Sequence, residues 1–201
     1  MDRVLTMIPA DRPIYVNTAN PVDIHLNVAV QTMARKCLPK GYHVVERFED
    51  APTTLDGITA YAQDFGVLCV ASEDSAGTIY DDIGVNVDLR AWHDSIHYRY
   101  QFAFNVAGEA AVTYIQVAQM YRVYGYNEKT IKWAQLLLAD ILGLVIHNKM
   151  TGKYPKNKRS GTLNAAPRWR AVAVLIGLAC TGSDHELKAA LLAEAEWGKG
   201  V

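Results

Sequence analysis

The chain has 201 residues, of which half are hydrophobic and a fifth are charged, and its formal net charge is −1. This composition supports a sizeable core and excludes bulk disorder, and the near-zero charge excludes a whole-molecule attraction to nucleic acid or to a membrane surface. We therefore expect a single globular domain over residues 1–201. The cysteines show no CxxC spacing, and neither a signal peptide nor an apolar run of bilayer length is found, which predicts a cytoplasmic protein with reduced thiols and no membrane contact.

The first part of the chain, residues 1–87, predicts mixed α/β structure. Asn20 and Pro21 are typical of a helix start, with Asn as the cap and Pro in the first helical position, and they predict a helix over 21–36. A shorter helix is expected in "TTLDGITAYAQDFG", between threonine caps and a terminal glycine. Strands are predicted in "YHVVER" (residues 42–47), "VLCVAS" and "GTIYDD", which would form a small sheet of about three strands.

The rest of the chain, residues 88–201, has the hydrophobic period of helices. Five helices are predicted: over 88–101, over 106–124, over 128–149 after a cap at Asn127, from near Pro167, and after the capping box "SDHE". The sequence therefore predicts an α+β, mostly α-helical fold. In that fold a small N-terminal mixed segment with a short β-sheet packs on a C-terminal bundle of about five helices.

Two histidines lie four residues apart in "RAWHDSIHYRY", on the first predicted helix of this bundle. On a helical wheel, the apolar stripe of this helix consists of Leu89, Trp92, Ile96 and Tyr100. His93 lies at the edge of that stripe, His97 lies about 40° further round, and Asp94 lies further out. The two imidazoles therefore lie where a neighbouring helix would pack, which is the position that a pair of metal ligands requires.

The next two predicted helices also carry polar residues on apolar faces. Glu109 and Gln116 are seven residues apart on the second helix, and Asp140 and His147 are seven residues apart on the third. An unpaired polar group in a core costs a few kcal/mol, so each of these side chains is expected to have a partner.

These side chains together predict a divalent metal site. We expect His93, His97 and Glu109 to bind the metal, because imidazole and carboxylate ligands with an incomplete shell suit Zn²⁺, Mn²⁺ or Fe²⁺. Asp94 and Asp140 are the candidate catalytic residues, which would orient a metal-activated water or take its proton.

Gln116 and His147 are assigned to secondary positions around the same site, as packing partners more than as ligands. The alternative interpretation of the whole cluster is a hydrogen-bonded network that only fixes how three helices pack.

Two charged stretches flank the helices. A basic stretch over 149–170, without acidic residues, is predicted to be a long loop, and its anion-binding candidates are Lys153, Lys156, Lys158, Arg159, Arg168 and Arg170. These cations predict a site for the phosphates of a nucleotide or nucleic acid, and the alternative is a solvated surface loop. An acidic stretch supplies Asp81, Asp82 and Asp88, which either bind a hard cation or serve as turn and cap residues.

The adjacent His93 and Asp94, followed by Asp140 on a later apolar helix, resemble the motif of the HD phosphohydrolase family. The resemblance implies a helical domain that binds a divalent metal and cleaves phosphate esters, with these three residues among the ligands. The family's first histidine is missing from its place, since His43 and His25 lie 50 or more residues upstream of the pair.

The motif "AWHDSIHY…FNVAGE" is similar to that of a recurring hypothetical protein of tailed phages. This resemblance implies a phage origin and action in the host cytoplasm. It also implies that His93, Asp94, His97 and Glu109 form one unit.

Three functions are compatible with these patterns. The leading hypothesis is a metal-dependent hydrolase that acts on a small phosphorylated molecule or nucleotide with metal-activated water. The alternative is a non-enzymatic binding protein, encoded by a phage and acting on a host protein, whose polar cluster is structural. A weaker alternative is nucleic-acid binding through the basic stretch, with Tyr154 and Trp169 available for stacking.

Overall fold

A three-stranded sheet lies at one side of the described fold. The computed structural model describes residues 5–15 and 20–168. The strands are Thr6–Ile8 (β1), Tyr42–Val45 (β2) and Leu68–Ala71 (β3). Strand β2 is central, and it pairs antiparallel with β1 and parallel with β3.

Helices make up most of the described residues. They are Ile24–Cys37 (α1), Leu55–Phe65 (α2), Ile83–Tyr100 (α3), Val106–Tyr124 (α4), Glu128–Leu138 (α5), Leu144–Thr151 (α6) and Lys158–Ala165 (α7). A π-helical segment, Ala139–Gly143, joins α5 to α6, and short 3₁₀ turns lie at Phe48–Asp50 and Ala166–Arg168. The predicted fold class, a small N-terminal mixed sheet packed on a helical bundle, is confirmed.

Helix α3 is the centre of the fold, because it packs against α1, α4, α2 and strand β3. Leu89, Trp92 and Ile96 of its predicted apolar stripe are buried in the main core. Burial of such large apolar side chains contributes roughly 1.5–3 kcal/mol each. Tyr100, the fourth member of the stripe, is exposed because α3 ends at this residue. The other face of α3 packs on the sheet through Val87 and Ala91.

Side-chain caps explain where several helices begin. Thr54, Asn105 and Asn127 each accept a hydrogen bond from a backbone N–H in the first turn of α2, α4 and α5. The predicted starts of the second and third bundle helices are therefore correct. The first helix of the chain begins later than predicted, because the Asp23 carboxylate, and not Asn20, caps it.

The predicted strand "GTIYDD" is wrong. Residues 77–80 form a bend and turn, in which Gly77 has φ +66° and Asp81 has φ +50°, and neither conformation fits a strand. The third strand is instead Thr6–Ile8, which runs antiparallel to β2. Its residues are exposed or half-buried, so it lacks the apolar run that would predict a strand.

The predicted long basic loop over 149–170 is also wrong, because it contains α7. The Asn157 side chain accepts a hydrogen bond from Ser160 N and so starts this helix, and Thr162 on its inner face is fully buried. Pro167, where the next helix was predicted, lies in the 3₁₀ turn Ala166–Arg168. The remainder of that helix and the capping box at 183–186 lie outside the described residues.

The three acidic residues before α3 are cap and packing residues. Asp82 accepts a hydrogen bond from Val85 N at the start of α3, and Asp81 accepts one from Asn20 N. Asp88 accepts hydrogen bonds from the Tyr42 hydroxyl and from Arg12, which tie the N-terminal segment and β2 to α3. Of the two interpretations of this stretch, turn and cap chemistry therefore accounts for it.

One helical stretch, Glu128–Lys149, is long and apolar enough by composition to cross a bilayer, with a mean hydropathy of 1.3 over its most apolar window. In the fold, 56% of that window is buried. The stretch packs on α4 and α7, as the core helix of a globular domain does.

Replacement of Gly108, in the first turn of α4, is predicted to destabilise the fold. A Cβ at this position would lie 1.8 Å from the Ala103 carbonyl oxygen, a backbone atom that cannot move without opening the turn between α3 and α4. We expect Gly108→Ala to lower the free energy of unfolding by about 2 kcal/mol or more. Urea unfolding measures this. In Gly84→Ala, the control, the Cβ would meet only the Asp82 side chain at 3.2 Å, so a change under about 1 kcal/mol is expected.

Candidate metal centre

His93, His97 and Glu109 converge at the junction of α3 and α4. The Nε2 atom of His93 lies 3.0 Å from Nε2 of His97 and 3.0 Å from Oε2 of Glu109. The Nε2 atom of His97 lies 3.5 Å from Oε1 of Glu109. The ligand atoms of all three residues lie within 4.8 Å of one another, so the group could hold a metal ion.

The second nitrogen of each imidazole is bound to an acceptor. Nδ1 of His93 lies 3.2 Å from Oε1 of Gln116, and Nδ1 of His97 lies 2.8 Å from the carbonyl oxygen of Phe102. Each Nδ1 therefore carries a proton and donates it, which leaves the Nε2 lone pairs directed at Glu109. This arrangement, with an outer partner that fixes the imidazole tautomer, is typical of metal-binding histidines.

The facing atoms need a cation between them. With a proton on each Nδ1, the two Nε2 atoms and the carboxylate are all acceptors, so either a proton or a metal ion must bridge them. Burial acts to raise the pKa of Glu109, but a proton on the facing imidazoles of His93 and His97 would be hydrogen-bonded to this carboxylate, which lowers its pKa to about 2. Burial acts to lower the pKa of His93, but the hydrogen bond to Glu109 and its charge raise it. Without a metal, the cluster thus holds a proton.

The tight connection between α3 and α4 brings the three residues together. Gln101 ends α3 in the left-handed conformation, and the Asn105 side chain starts α4 by accepting a hydrogen bond from Gly108 N. Glu109 therefore lies in the first turn of α4, beside the last turns of α3. Phe104, within the connection, stacks on the His97 ring with a centroid distance of 4.1 Å, which covers this fully buried imidazole.

A cavity of about 490 Å³ opens beside the cluster, and His93 and Glu109 form part of its wall. Its floor is buried and includes Thr78, Asn86 and Asp140. Its rim is more exposed and carries three aromatic rings, from Phe48, Phe104 and Tyr154. The loops that follow the parallel strands β2 and β3 form one side, which is the end of a parallel sheet where ligands commonly bind.

Asp94 and Asp140 both face this cavity. Burial raises the pKa of Asp94 to about 6, against the opposing charges of His93 and His97. Burial also raises the pKa of Asp140, although a hydrogen bond from Thr162 Oγ1, at 2.9 Å, stabilises the carboxylate. Two carboxyl groups with raised pKa values beside a candidate metal site, one buried and one half-buried, are typical of a catalytic cavity.

The π-helical segment determines where Asp140 points. A π-helix accommodates an extra residue per turn, so side chains in it leave the spacing of the flanking α-helices. Asp140 and Ile141 both line the cavity, whereas Leu142 is fully buried in the fold. Such segments are frequent at functional sites.

Of the two residues predicted for secondary positions, only Gln116 contacts the metal-ligand candidates. Gln116 is fully buried and contacts His93, as its place on the inner face of α4 predicts. His147 is half-buried on α6 and does not line the cavity.

The structure separates the predicted anion-binding residues. Lys158 lines the cavity, whereas Lys153 and Lys156 are exposed outside it. Arg159 donates its backbone N–H to the Gly77 carbonyl. Arg168 lies in the last 3₁₀ turn, and Arg170 lies outside the described residues.

Arg90 is a cavity residue that the sequence interpretation missed. Its Nη1 donates to the carbonyls of Ala71 and Glu73, and its guanidinium lies over the Phe48 ring at 4.9 Å. The helical wheel places Arg90 on the same face as His93 and His97, because the three residues follow the i, i+3, i+7 spacing. The position of this arginine could therefore have been predicted together with the histidines.

Comparison of the chain with protein-family models, with curated proteins and with solved structures finds no match. The function of the site is therefore argued from its own geometry and chemistry.

Metal binding is predicted to release a proton. Because the metal-free cluster holds a proton among His93, His97 and Glu109, and because metal binds the neutral imidazoles, Zn²⁺ should displace about one proton per ion near pH 6.5. Affinity should therefore rise as the pH rises through the raised pKa of His93. Calorimetric titration in buffers of different ionisation enthalpy counts the released protons. Tight binding without proton release would contradict the proton-bridged cluster.

Asp140→Asn is predicted to stabilise the fold at neutral pH. The asparagine oxygen can still accept from Thr162, while the buried charge is removed, so a gain of roughly 1 kcal/mol is expected at pH 7. The pKa of Asp140 is raised in the folded protein, so its ionisation destabilises the fold above that pKa. The difference between wild type and variant should therefore shrink as the pH falls towards about 4. Thermal unfolding over this pH range measures it, and an unchanged difference would contradict the assignment.

Proposed function

We propose that the protein is a metal-dependent hydrolase that cleaves a small phosphorylated or nucleotide-like substrate with metal-activated water. One observation carries this proposal. The Nε2 atoms of two histidines face the Glu109 carboxylate beside a cavity, and the lining of this cavity also includes two carboxyl groups and two cations, namely Asp94, Asp140, Arg90 and Lys158.

The ligand set favours a transition metal. Two imidazoles and one carboxylate suit Zn²⁺, Mn²⁺ or Fe²⁺, and they leave coordination positions for water or substrate. The bound ion would lower the pKa of its water to near neutrality. Gln116 and Phe102 hold the imidazoles in the tautomer that such an ion requires.

Asp94 and Asp140 are the candidate proton acceptors. A water oxygen would form the new bond to phosphorus as the bond from phosphorus to the alcohol oxygen breaks, and the leaving alkoxide takes up a proton. Asp94 follows His93 on α3 and has a pKa of about 6, which suits a base near neutral pH. Asp140 lies on the floor of the same cavity and would position the water or the substrate.

The remaining cavity residues favour a phosphorylated substrate. Arg90 and Lys158 supply two positive charges, and the volume of about 490 Å³ falls in the range for small-molecule sites. The aromatic rings at the rim would cover the organic part of the substrate. The residues that carry the resemblance to HD phosphohydrolases, His93, Asp94 and Asp140, all line this cavity, which supports phosphate-ester chemistry.

A second candidate function is nucleic-acid binding at the cavity mouth. Lys153 and Lys156 are exposed on either side of Tyr154, whose ring is half exposed at the rim and available for stacking. Binding by this route would weaken steeply with salt, and it would be lost in Lys153→Ala/Lys156→Ala.

Elemental analysis together with activity tests the hydrolase proposal. The wild type is expected to hold about one equivalent of transition metal and to hydrolyse p-nitrophenyl phosphate. Glu109→Gln and His97→Gln should lose the metal and at least about a hundredfold of the activity, because a ligand is replaced. His25→Gln, which changes an exposed histidine on α1, is the matched control and should keep both.

A wild-type protein that takes up no Zn²⁺, Mn²⁺ or Fe²⁺, and whose unfolding is unaffected by chelator, would refute the proposal. The polar cluster would then fix the packing of α3 on α4. The alternative of a non-enzymatic binding protein, acting on a host protein, would take its place.

A further inference from the structure

Thr78 places an unused hydroxyl in the floor of the cavity. The residue is 3% exposed, and its Oγ1 has no hydrogen-bond partner among the described residues. A buried hydroxyl without a partner destabilises a fold. The residue also lines the cavity, so a ligand bound there is the group that could supply the missing partner.

Arg90 presents a fixed cation to the same cavity. Two backbone carbonyls, those of Ala71 and Glu73, accept from Nη1, and the Phe48 ring packs against the guanidinium. These contacts use one of the three guanidinium nitrogens and hold the plane of the group in place. Among the described residues, no hydrogen bond is made by the other N–H donors of Arg90, so they could bind an anion in a fixed orientation.

Lys158 brings a second cation from a distant part of the chain. Its Nζ donates to the Asp74 carbonyl at 2.8 Å and lies 3.7 Å from the Asp74 carboxylate. The neighbouring Arg159 N–H donates to the Gly77 carbonyl, so the first turn of α7 is anchored to the loop that carries Thr78. Arg90 and Lys158 donate to consecutive carbonyls, those of Glu73 and Asp74, so the two cations meet at the same loop.

We infer that Thr78, Arg90 and Lys158 form a phosphate subsite and that the substrate is a phosphate monoester, an inference that rests on the proposed function for the choice of phosphate. A terminal phosphate offers a dianion to the two cations and an oxygen acceptor to the Thr78 hydroxyl. The floor of the cavity is closed by buried residues, so it can receive the end of a molecule. A phosphodiester would need room for a second chain beyond the phosphate.

The acidic residues of the cavity make phosphate binding depend on the metal. Asp74, Asp94, Glu109 and Asp140 line the cavity together with the two cations. A divalent ion at His93, His97 and Glu109 would offset this negative charge, so phosphate and metal should each strengthen the binding of the other.

Calorimetric titration with inorganic phosphate, on metal-free and on Zn²⁺-loaded protein, tests the subsite. Thr78→Val should bind phosphate about tenfold more weakly, and its thermal stability should be equal or higher because an unpaired buried hydroxyl is removed. Lys158→Met should also lose at least about tenfold in affinity. Thr53→Val and Lys36→Met are the matched controls, because Thr53 lies on the exposed rim and Lys36 is exposed on α1, outside the cavity. Both controls should bind phosphate as the wild type does.

The outcomes separate this inference from the proposed function. Wild-type protein that binds no phosphate in either metal state, or Thr78→Val and Lys158→Met variants that bind it as the wild type does, would overturn the subsite. Dimethyl phosphate bound as tightly as inorganic phosphate would overturn the choice of a monoester. Metal content is measured separately for each protein, so normal phosphate binding without metal uptake would support the subsite while refuting the metal-dependent hydrolase.

Discussion

Two hydrogen-bond acceptors behind the imidazoles are the constraint on which the candidate site depends. Because the Gln116 amide oxygen and the Phe102 carbonyl each hold an Nδ1 proton, both Nε2 atoms are directed at Glu109. If either ring turned over, a donor N–H would replace a ligand lone pair. Helix α4 supplies the amide and the connection after α3 supplies the carbonyl, so the packing of two helices sets the chemistry of three side chains.

Several polar groups in and near the cavity lower the stability of the fold. Thr78 Oγ1 and Gln116 Nε2 are buried without a hydrogen-bond partner among the described residues, and Asp94 and Asp140 are carboxyl groups in surroundings that disfavour their charge. The large apolar side chains on the other faces of α3 offset these terms. Buried polar groups of this kind beside a well-packed core are common at binding and catalytic sites.

The sequence predicts the helices and the side chains on their faces better than it predicts the cavity, which joins residues that are distant in the chain. His93, His97 and Glu109 were identifiable because helical period and cap residues place them on facing surfaces, and residues 106–124 match α4. Strand β1 and helix α7 were not identifiable, since β1 has too few buried residues and the Asn157 cap lies within a run of charges. The floor of the cavity joins loops that are distant in sequence, and contacts between such loops leave no periodic pattern from which they could be predicted. Arg90 was missed for a different reason, because an arginine on a helix is usually assigned to solvent.

The spacing of the site along the chain has a consequence for how the molecule assembles. The three candidate metal ligands span residues 93–109, in one helical hairpin, so they need only local contacts to meet. The cavity beside them is closed by residues from Phe48 to Lys158, and its last wall is anchored through Lys158 to Asp74. The candidate ligands therefore come earlier in the chain than the wall that α7 provides. Under the proposed function, metal binding would need only the hairpin, whereas substrate binding would also need α7 in place.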